Sequence, residues 1–264
     1  MTLVIGVVWR AVQGVLVVAD TRSSMGPVFL EERKIHPVKR GGLGYAVLAG
    51  SGNPKLVKKG YRVIEETIDS WIAQNGTRTP KSQELNKMVD TAERLLIEEL
   101  KFLRDRGIDP CEDGLSILWA SVSDEGDPRL YHIDCTGLAD AKHDNPGYVL
   151  LGRGLYTGAL ALLRLFNFSP EHTWDMGLYT AFIIDLVSEV DSSVSPFLGD
   201  SYLIRKEGEK VVLGPLKPEA YQEYKKKIAK RREAIQLLWQ ALESVDNEDE
   251  VMEILREKIR QIQK

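Results

Sequence analysis

The sequence predicts an α+β fold: a four-layer αββα sandwich followed by a C-terminal helical extension. Three observations predict it. Strand-like and helix-like segments come in blocks rather than in the regular βαβ alternation of a parallel sheet. The strand blocks are short, Val- and Leu-rich and joined by tight turns, as antiparallel hairpins are. Beyond Pro215 the strand signal stops, and only helical periodicity remains.

The elements follow in order. Residues 2–9 and 14–19 are continuous apolar runs linked by Arg10–Gln13, a hairpin buried on both faces. Further strands are expected near 28–31, 34–38 and 43–49, closed by the glycine-rich turn Ala49-Gly50-Ser51-Gly52-Asn53. Two helices follow. One, over 54–74, carries Leu56, Val57, Tyr61, Val63, Ile64, Ile68 and Trp71 at helical spacing; the other, over 81–106, carries Leu85, Met88, Val89, Ala92, Leu95, Leu96, Leu100 and Leu103. Strands return at 115–122, 128–133 and 147–151. Helices are then expected over 155–167 and 173–189, the second introduced by Ser169-Pro170-Glu171-His172. A hairpin at 200–205 and 209–213 turns on Lys206-Glu207-Gly208. The domain division is therefore 2–214 and 215–264. In the tail, Tyr221, Tyr224, Ile228, Ile235, Leu238, Leu242 and Val245 form a 3,4-spaced stripe. A turn at 246–250 with Asp246 or Asn247 as cap, and a last helix through Val251, Ile254, Leu255, Ile259 and Ile262, complete a helical hairpin. Its basic opening (Lys225–Lys227, Lys230–Arg232) reads as a solvated face, with a docking surface as the alternative.

Composition narrows the function. The chain has 264 residues, enough for one large domain with an appendage. A net charge of −4 gives no footprint for nucleic acid or an anionic membrane. No apolar run approaches the roughly 20 residues of a membrane span, and the start has no basic leader region, so a cytoplasmic protein is expected. Cys111 and Cys135 lack metal-type spacing and read as two reduced thiols. His36, His132, His143 and His172 show no ligand spacing, and Gly50-Ser51-Gly52-Asn53 lacks the Lys and Ser/Thr of a phosphate loop. No cofactor or metal is expected.

The chemistry gathers near the N-terminus. Thr2 follows Met1, and a small residue there permits loss of the methionine and exposure of a threonine amine. A hydroxyl is a weak nucleophile that needs an adjacent base. A free α-amine, with a reference pKa of roughly 7.7–8.0, is partly neutral at pH 7 and can serve its own residue's hydroxyl. The hairpin brings Asp20, at the end of the second strand, to the sheet edge where Thr2 enters. Lys34 would lower the hydroxyl pKa, and a carboxylate would hold that lysine in place.

These residues, with Ala19-Asp20-Thr21-Arg22, Arg33-Lys34-Ile35, Ala49-Gly50-Ser51, Ile133-Asp134-Cys135-Thr136-Gly137, Gly152-Arg153-Gly154 and Asp191-Ser192, resemble in order the proteasome β subunit over residues 2–213. The resemblance implies the N-terminal-nucleophile (Ntn) hydrolase fold, in a divergent, archaeal member. It implies Thr2 as nucleophile and base, Asp20 and Lys34 as its supporting charge pair, Gly50 as oxyanion donor and Asp191 as the residue that orients the N-terminus. Ser24 and Leu48 would meet substrate backbone or the first pocket. Two positions depart from the pattern. Arg153 and Val194 stand where that family has serines that position the threonine amine. Ser195 or Ser193 would substitute for the second, and Arg153 would bind a substrate carboxylate or pair with Asp191. The implied activity is a threonine-type peptidase working through a Thr2 acyl-enzyme on peptides or unfolded protein, in a homo-oligomer or ring. One alternative is a transpeptidase or ligase on the same acyl-enzyme, as in some archaeal homologues. The other is a catalytically silent assembly subunit.

Overall fold

The structure is a computed structural model that describes residues 3–25, 28–31, 33–112, 114–196, 200–244, 253 and 256. Residues 1–216 form one compact unit and 217–264 a second.

In the first unit, one antiparallel sheet has the order β10 (Tyr148–Leu151), β1 (Val4–Trp9), β2 (Gly14–Ala19), β11 (Asp200–Glu207), β12 (Lys210–Pro215). The other runs β5 (Ile35–Arg40), β6 (Leu43–Gly52), β7 (Leu115–Val122), β8 (Pro128–Ile133), β9 (Ala139–Ala141). A separate ribbon pairs β3 (Arg22–Met25) with β4 (Val28–Glu31). The unbroken apolar runs of β1 and β2 are explained by burial of both faces. Val4, Val8, Val15 and Val17 pack across the sheet interface on Val47, Leu118, Ala120 and Leu130. Leu3, Ile5, Val7, Leu16 and Val18 fill the opposite face, and none has any exposed surface. Gly6 lets the sheets approach: a Cβ there would lie 2.4 Å from Leu118 Cδ1.

The helices are unevenly distributed. α1 (Pro54–Asn75) and α2 (Ser82–Arg104) cover the β5–β9 sheet with the stripes that the sequence showed, from Leu56 through Ile68 and from Leu85 through Leu103, except that Leu95, expected in the second stripe, is exposed. Asn53 caps α1, its side chain accepting from the Lys55 N–H at 3.0 Å, with Pro54 in the first turn. The other sheet is covered by α4 (Met176–Val190), capped by Asp175 rather than by the Ser169–His172 segment. The helix expected over 155–167 is only a π turn, Leu155–Ala159, followed by the six-residue α3, Leu160–Leu165. Gly158, at φ 152°, interrupts it.

The expected fold class is corrected accordingly. The described residues give two antiparallel five-stranded sheets with five helices, not a clear four-layer αββα sandwich of the Ntn type: α1 and α2 make a full layer, whereas α4 has only a broken partner. The reduced thiols are corrected as well. Cys111 and Cys135 form a disulfide, with Cα atoms 4.9 Å apart. Their separation of 24 residues hides their proximity; because Ile117 pairs with Ile133, the loop entering β7 meets the turn leaving β8.

The second unit contains α5 (Pro218–Ser244), which leaves Ile235, Leu238 and Trp239 exposed. The expected turn at 246–250 lies outside the described residues. So does the expected last helix, apart from Glu253 and Arg256, which are helical. No described helix is long and apolar enough to cross a membrane.

Candidate active site

Strand register sets the site. Ala19 pairs with Val4 on one side and with Asp200 on the other, so Leu3 and Asp20 are the next residues beyond that sheet's edge. They lock together: the Asp20 N–H donates to the Leu3 carbonyl at 3.0 Å, and the Leu3 N–H donates to Asp20 Oδ1 at 2.7 Å. In the other sheet Ile35 pairs with Ala49, which places Lys34 and Gly50 side by side just beyond. Lys34 Nζ donates to Asp20 Oδ1 at 2.6 Å and to the Arg22 carbonyl. The second oxygen, Oδ2, accepts from the N–H of Arg22 at 3.1 Å and of Ser195 at 3.2 Å. Asp20 has no exposed surface. Removing a carboxylate from water is costly unless donors replace the water, and here three amides and an ammonium do so.

Gly50 lies under α1. A Cβ there would fall 2.4 Å from Val57 Cγ1 and 3.0 Å from the Tyr61 hydroxyl, which in turn donates to the Lys34 carbonyl at 3.5 Å. Burial pushes the Tyr61 hydroxyl well above its ordinary pKa, reinforced by the charge of Asp200. Asp200 is a member of the site that the sequence reading missed. Its Oδ2 accepts the Lys34 N–H at 2.8 Å, so residue 34 is held through its main chain as well as its side chain. Burial raises the Asp200 pKa, opposed by the amides of Lys34 and Ile35 and by the charges of Arg33 and Lys34. The only signal for it was an acidic residue opening an otherwise ordinary strand.

Asp191 ends α4. Its Oδ1 accepts from the Ser193 N–H at 2.9 Å and from the Ser193 hydroxyl at 2.5 Å, and its Oδ2 accepts from the Thr157 hydroxyl at 3.0 Å. Burial pushes this carboxyl upward. The Ser193 and Thr157 hydrogen bonds and the charge of Arg153 outweigh it and leave the pKa below the ordinary value. The loop after Asp191 is tied to the Asp20 strand end. Ser195 Oγ accepts from the Thr21 N–H at 3.0 Å, and Arg22 Nη1 donates to the Ser192 carbonyl at 2.6 Å. Val194 is fully buried. Arg153 is exposed, on a turn that packs against the start of β1: a Cβ on Gly154 would lie 2.7 Å from Leu3 Cβ.

The structure therefore brings together Asp20, Lys34, Gly50, Asp191, Arg153 and Ser195. Thr2 lies outside the described residues; Leu3, which follows it, is anchored. Leu48 is a core residue under α1 and α2 with no exposed surface, so nothing of it is open to a substrate. Ser24 stands in the β3–β4 ribbon, opposite Phe29. Among the described residues, no group of three or more His, Cys, Asp and Glu is arranged to hold a metal ion.

No protein-family model matches the chain, and no curated protein matches its sequence. Solved structures do match. An Anbu (Gly-1) mutant from Hyphomicrobium sp. strain MC1 superposes with a TM-score of 0.65 at 15% identity, over 94% of this chain and 99% of that one. Anbu, described as an ancestral beta-subunit, from Yersinia bercovieri gives 0.63 at 15% identity, over 88% and 95%. A further Anbu structure from the Hyphomicrobium strain gives 0.63 at 14%, over 93% and 98%. At such identity the likeness shows the fold alone, and the fold is proteasome-related. The resemblance to a proteasome β subunit is corrected by these matches, which are to a different family of the related fold and carry no support for a threonine-type β subunit. The motifs behind that resemblance stand at strand ends and turns: Asp20 follows β2, and Gly50 lies in the last residues of β6, paired with Ile117. They report the shared architecture rather than one family within it.

Proposed function

We propose that the chain is an N-terminal-threonine amidohydrolase that cleaves peptide bonds through a Thr2 acyl-enzyme. One observation carries the reading: the buried Asp20 carboxylate grips both the Leu3 amide, one residue from Thr2, and the Lys34 ammonium. A carboxylate and a lysine built into the end of a sandwich cost stability, and they are kept where a reacting group needs a fixed charge.

Once Met1 is removed, the Thr2 hydroxyl attacks the scissile carbonyl and its proton passes through a water to the Thr2 amine. The positive charge of Lys34 favours the ionising hydroxyl, and Asp20 keeps that charge in place. The Gly50 N–H receives the developing oxyanion. The amine leaving group takes the proton back, and water then releases the acyl group from Thr2. Asp191 orients the Thr2 amine. Arg153 lines the approach and attracts a substrate carboxylate, with Ser24 meeting the substrate backbone; Ser195 is buried, and its part is to tie the loop after Asp191 to the end of β2. The substrates are peptides or unfolded chains, and the protein works in the cytoplasm as a homo-oligomer.

Intact mass of the full-length protein, before and after a peptide epoxyketone or β-lactone, tests the reading. The expected result is loss of Met1, one adduct per chain, and no adduct in Thr2→Ala. Retention of Met1, or an adduct that survives Thr2→Ala, overturns it. Adding a free amine to the peptide digest reports whether the acyl group passes to water or to the amine. Light scattering reports the assembly.

A further inference from the structure

Asp191 is held in two different ways. Its Oδ1 is satisfied within its own loop, by the main chain and hydroxyl of Ser193 two residues on. That arrangement travels with the loop wherever the loop goes. The Oδ2 bond is tertiary: the Thr157 hydroxyl reaches it at 3.0 Å from 34 residues away. Thr157 belongs to the turn that follows β10, and this turn packs on Leu3 through Gly154. The contacts therefore run from the start of β1, through Gly154 and Thr157, to the Asp191 carboxylate.

The backbone around Thr157 is unusual. Leu155–Ala159 is a π turn, rare and costly relative to α-helix, and it relies on Gly158 at φ 152°. A continuous helix over this segment would present residue 157 at a different angle. The sequence here departs from simple helix formation at the point where a hydroxyl meets a buried carboxylate.

We propose that Thr157 is a positioning residue for the N-terminal-threonine reaction: its hydroxyl fixes the Asp191 carboxylate, to which the function proposed above gives the task of orienting the Thr2 amine. The inference rests on the function proposed above and adds a residue that the sequence reading did not single out. Thr157 does not touch substrate; it acts through Asp191. Ser193 alone leaves one carboxylate oxygen without a fixed direction, and the amine that must accept the Thr2 proton then samples unproductive orientations. The Thr157 bond also favours the ionised form of Asp191, so its loss moves Asp191 titration toward neutrality.

The test uses the full-length chain and three proteins: wild type, Thr157→Val and Thr157→Ser. Valine preserves the shape and removes the hydroxyl. The rate of Thr2 acylation by a peptide β-lactone is followed by intact mass between pH 5 and 8. The titration of Asp191 is followed by carboxyl carbon NMR, assigned with Asp191→Asn. Thr157→Val is expected to acylate on the order of tenfold slower, with the deficit growing toward acidic pH and with Asp191 titrating higher than in wild type. Thr157→Ser restores both. An acylation profile and an Asp191 titration unchanged by valine overturn the role of Thr157. So does equal impairment by valine and serine, since then only space is being filled. A wild-type chain that is never acylated at Thr2 sinks the underlying function instead, and the two failures are read separately.

Discussion

Asp20→Asn isolates the buried charge pair on which the site depends. The side chain keeps its shape but one of its acceptor oxygens becomes a donor. In the native site that carboxylate receives four donors: the N–H groups of Leu3, Arg22 and Ser195, and Lys34 Nζ. Turned so that its oxygen keeps Leu3 and Lys34, the asparagine amide points its N–H₂ at the Arg22 and Ser195 amides. Each stranded amide costs about 1–3 kcal/mol. Breaking a buried ion pair at one end costs about 3–5 kcal/mol in all. For a chain of this size that is a fall in Tm of roughly 6–20 °C. Lys34→Met is milder, because the three backbone donors stay on Asp20. Urea denaturation followed by tryptophan fluorescence on wild type, both single variants and the double variant closes a thermodynamic cycle. A coupling of about 1–3 kcal/mol is expected, since the double variant no longer leaves a buried ammonium without its carboxylate. Additivity within about 0.5 kcal/mol would refute the idea that the two side chains act as a unit.

Three further outcomes are expected. Reducing the Cys111–Cys135 bond, or Cys111→Ser, opens a ring of about 25 residues and costs about 3.5 kcal/mol on the loop-entropy scale; a thermal scan with and without dithiothreitol that shows no change means the bond does not constrain the chain. Gly52→Ala is expected to cost more than about 3 kcal/mol, because Gly52 has φ 106° and the added Cβ would sit 1.1 Å from the Gly114 carbonyl oxygen, as urea midpoints will show. The two outlying carboxylates give opposite pH signatures. Asp191 is held below its ordinary pKa, so its stabilisation is present above the unfolded carboxylate range and is lost as pH falls through the lower folded value; Asp200 is raised, so its contribution is complete below that range and is lost as pH rises through the higher folded value. Urea midpoints against pH for Asp191→Asn and Asp200→Asn, each compared with wild type, must differ in sign.

Much of this was legible in the chain because the signals were local. The apolar runs of β1 and β2 and the stripes of α1 and α2 announce buried faces directly. Asp20 follows the strand expected at 14–19, Lys34 opens the one expected at 34–38 and Gly50 follows the one expected at 43–49, so placing the strands places the site. What was not legible was tertiary. Helical spacing over 155–167 concealed the π turn, since Gly158 reads as a tolerated glycine in a helix until its φ is known. The disulfide depends on the β7–β8 register rather than on cysteine spacing. Leu48 was expected at a pocket, yet alternation along β6 turns it toward α1 and α2, while its neighbours Val47 and Ala49 face the other sheet. Motif order, finally, reported the proteasome-related fold and overreached when it specified the family.

Asp200 shows why the site is rigid. Asp20 and Asp200 leave one sheet from neighbouring strands, β2 and β11, and both reach residue 34 of the other. Asp20 takes its ammonium and Asp200 takes its amide. A lysine held only by its tip would keep the freedom of a four-carbon chain, and its charge would be smeared over several ångströms. Held at both ends, it presents that charge from one place without reorganisation when a substrate arrives. The two carboxylates also differ in what they demand. Asp20 is saturated by charge-assisted and main-chain donors, whereas Asp200 carries a raised pKa and a lighter set of partners. Protonating Asp200 would leave Lys34 Nζ on Asp20 and loosen only the main-chain grip. Asp200→Asn is therefore expected to lower the rate of Thr2 acylation while preserving the Asp20–Lys34 coupling measured by the cycle, a separation that a single undivided network would not allow.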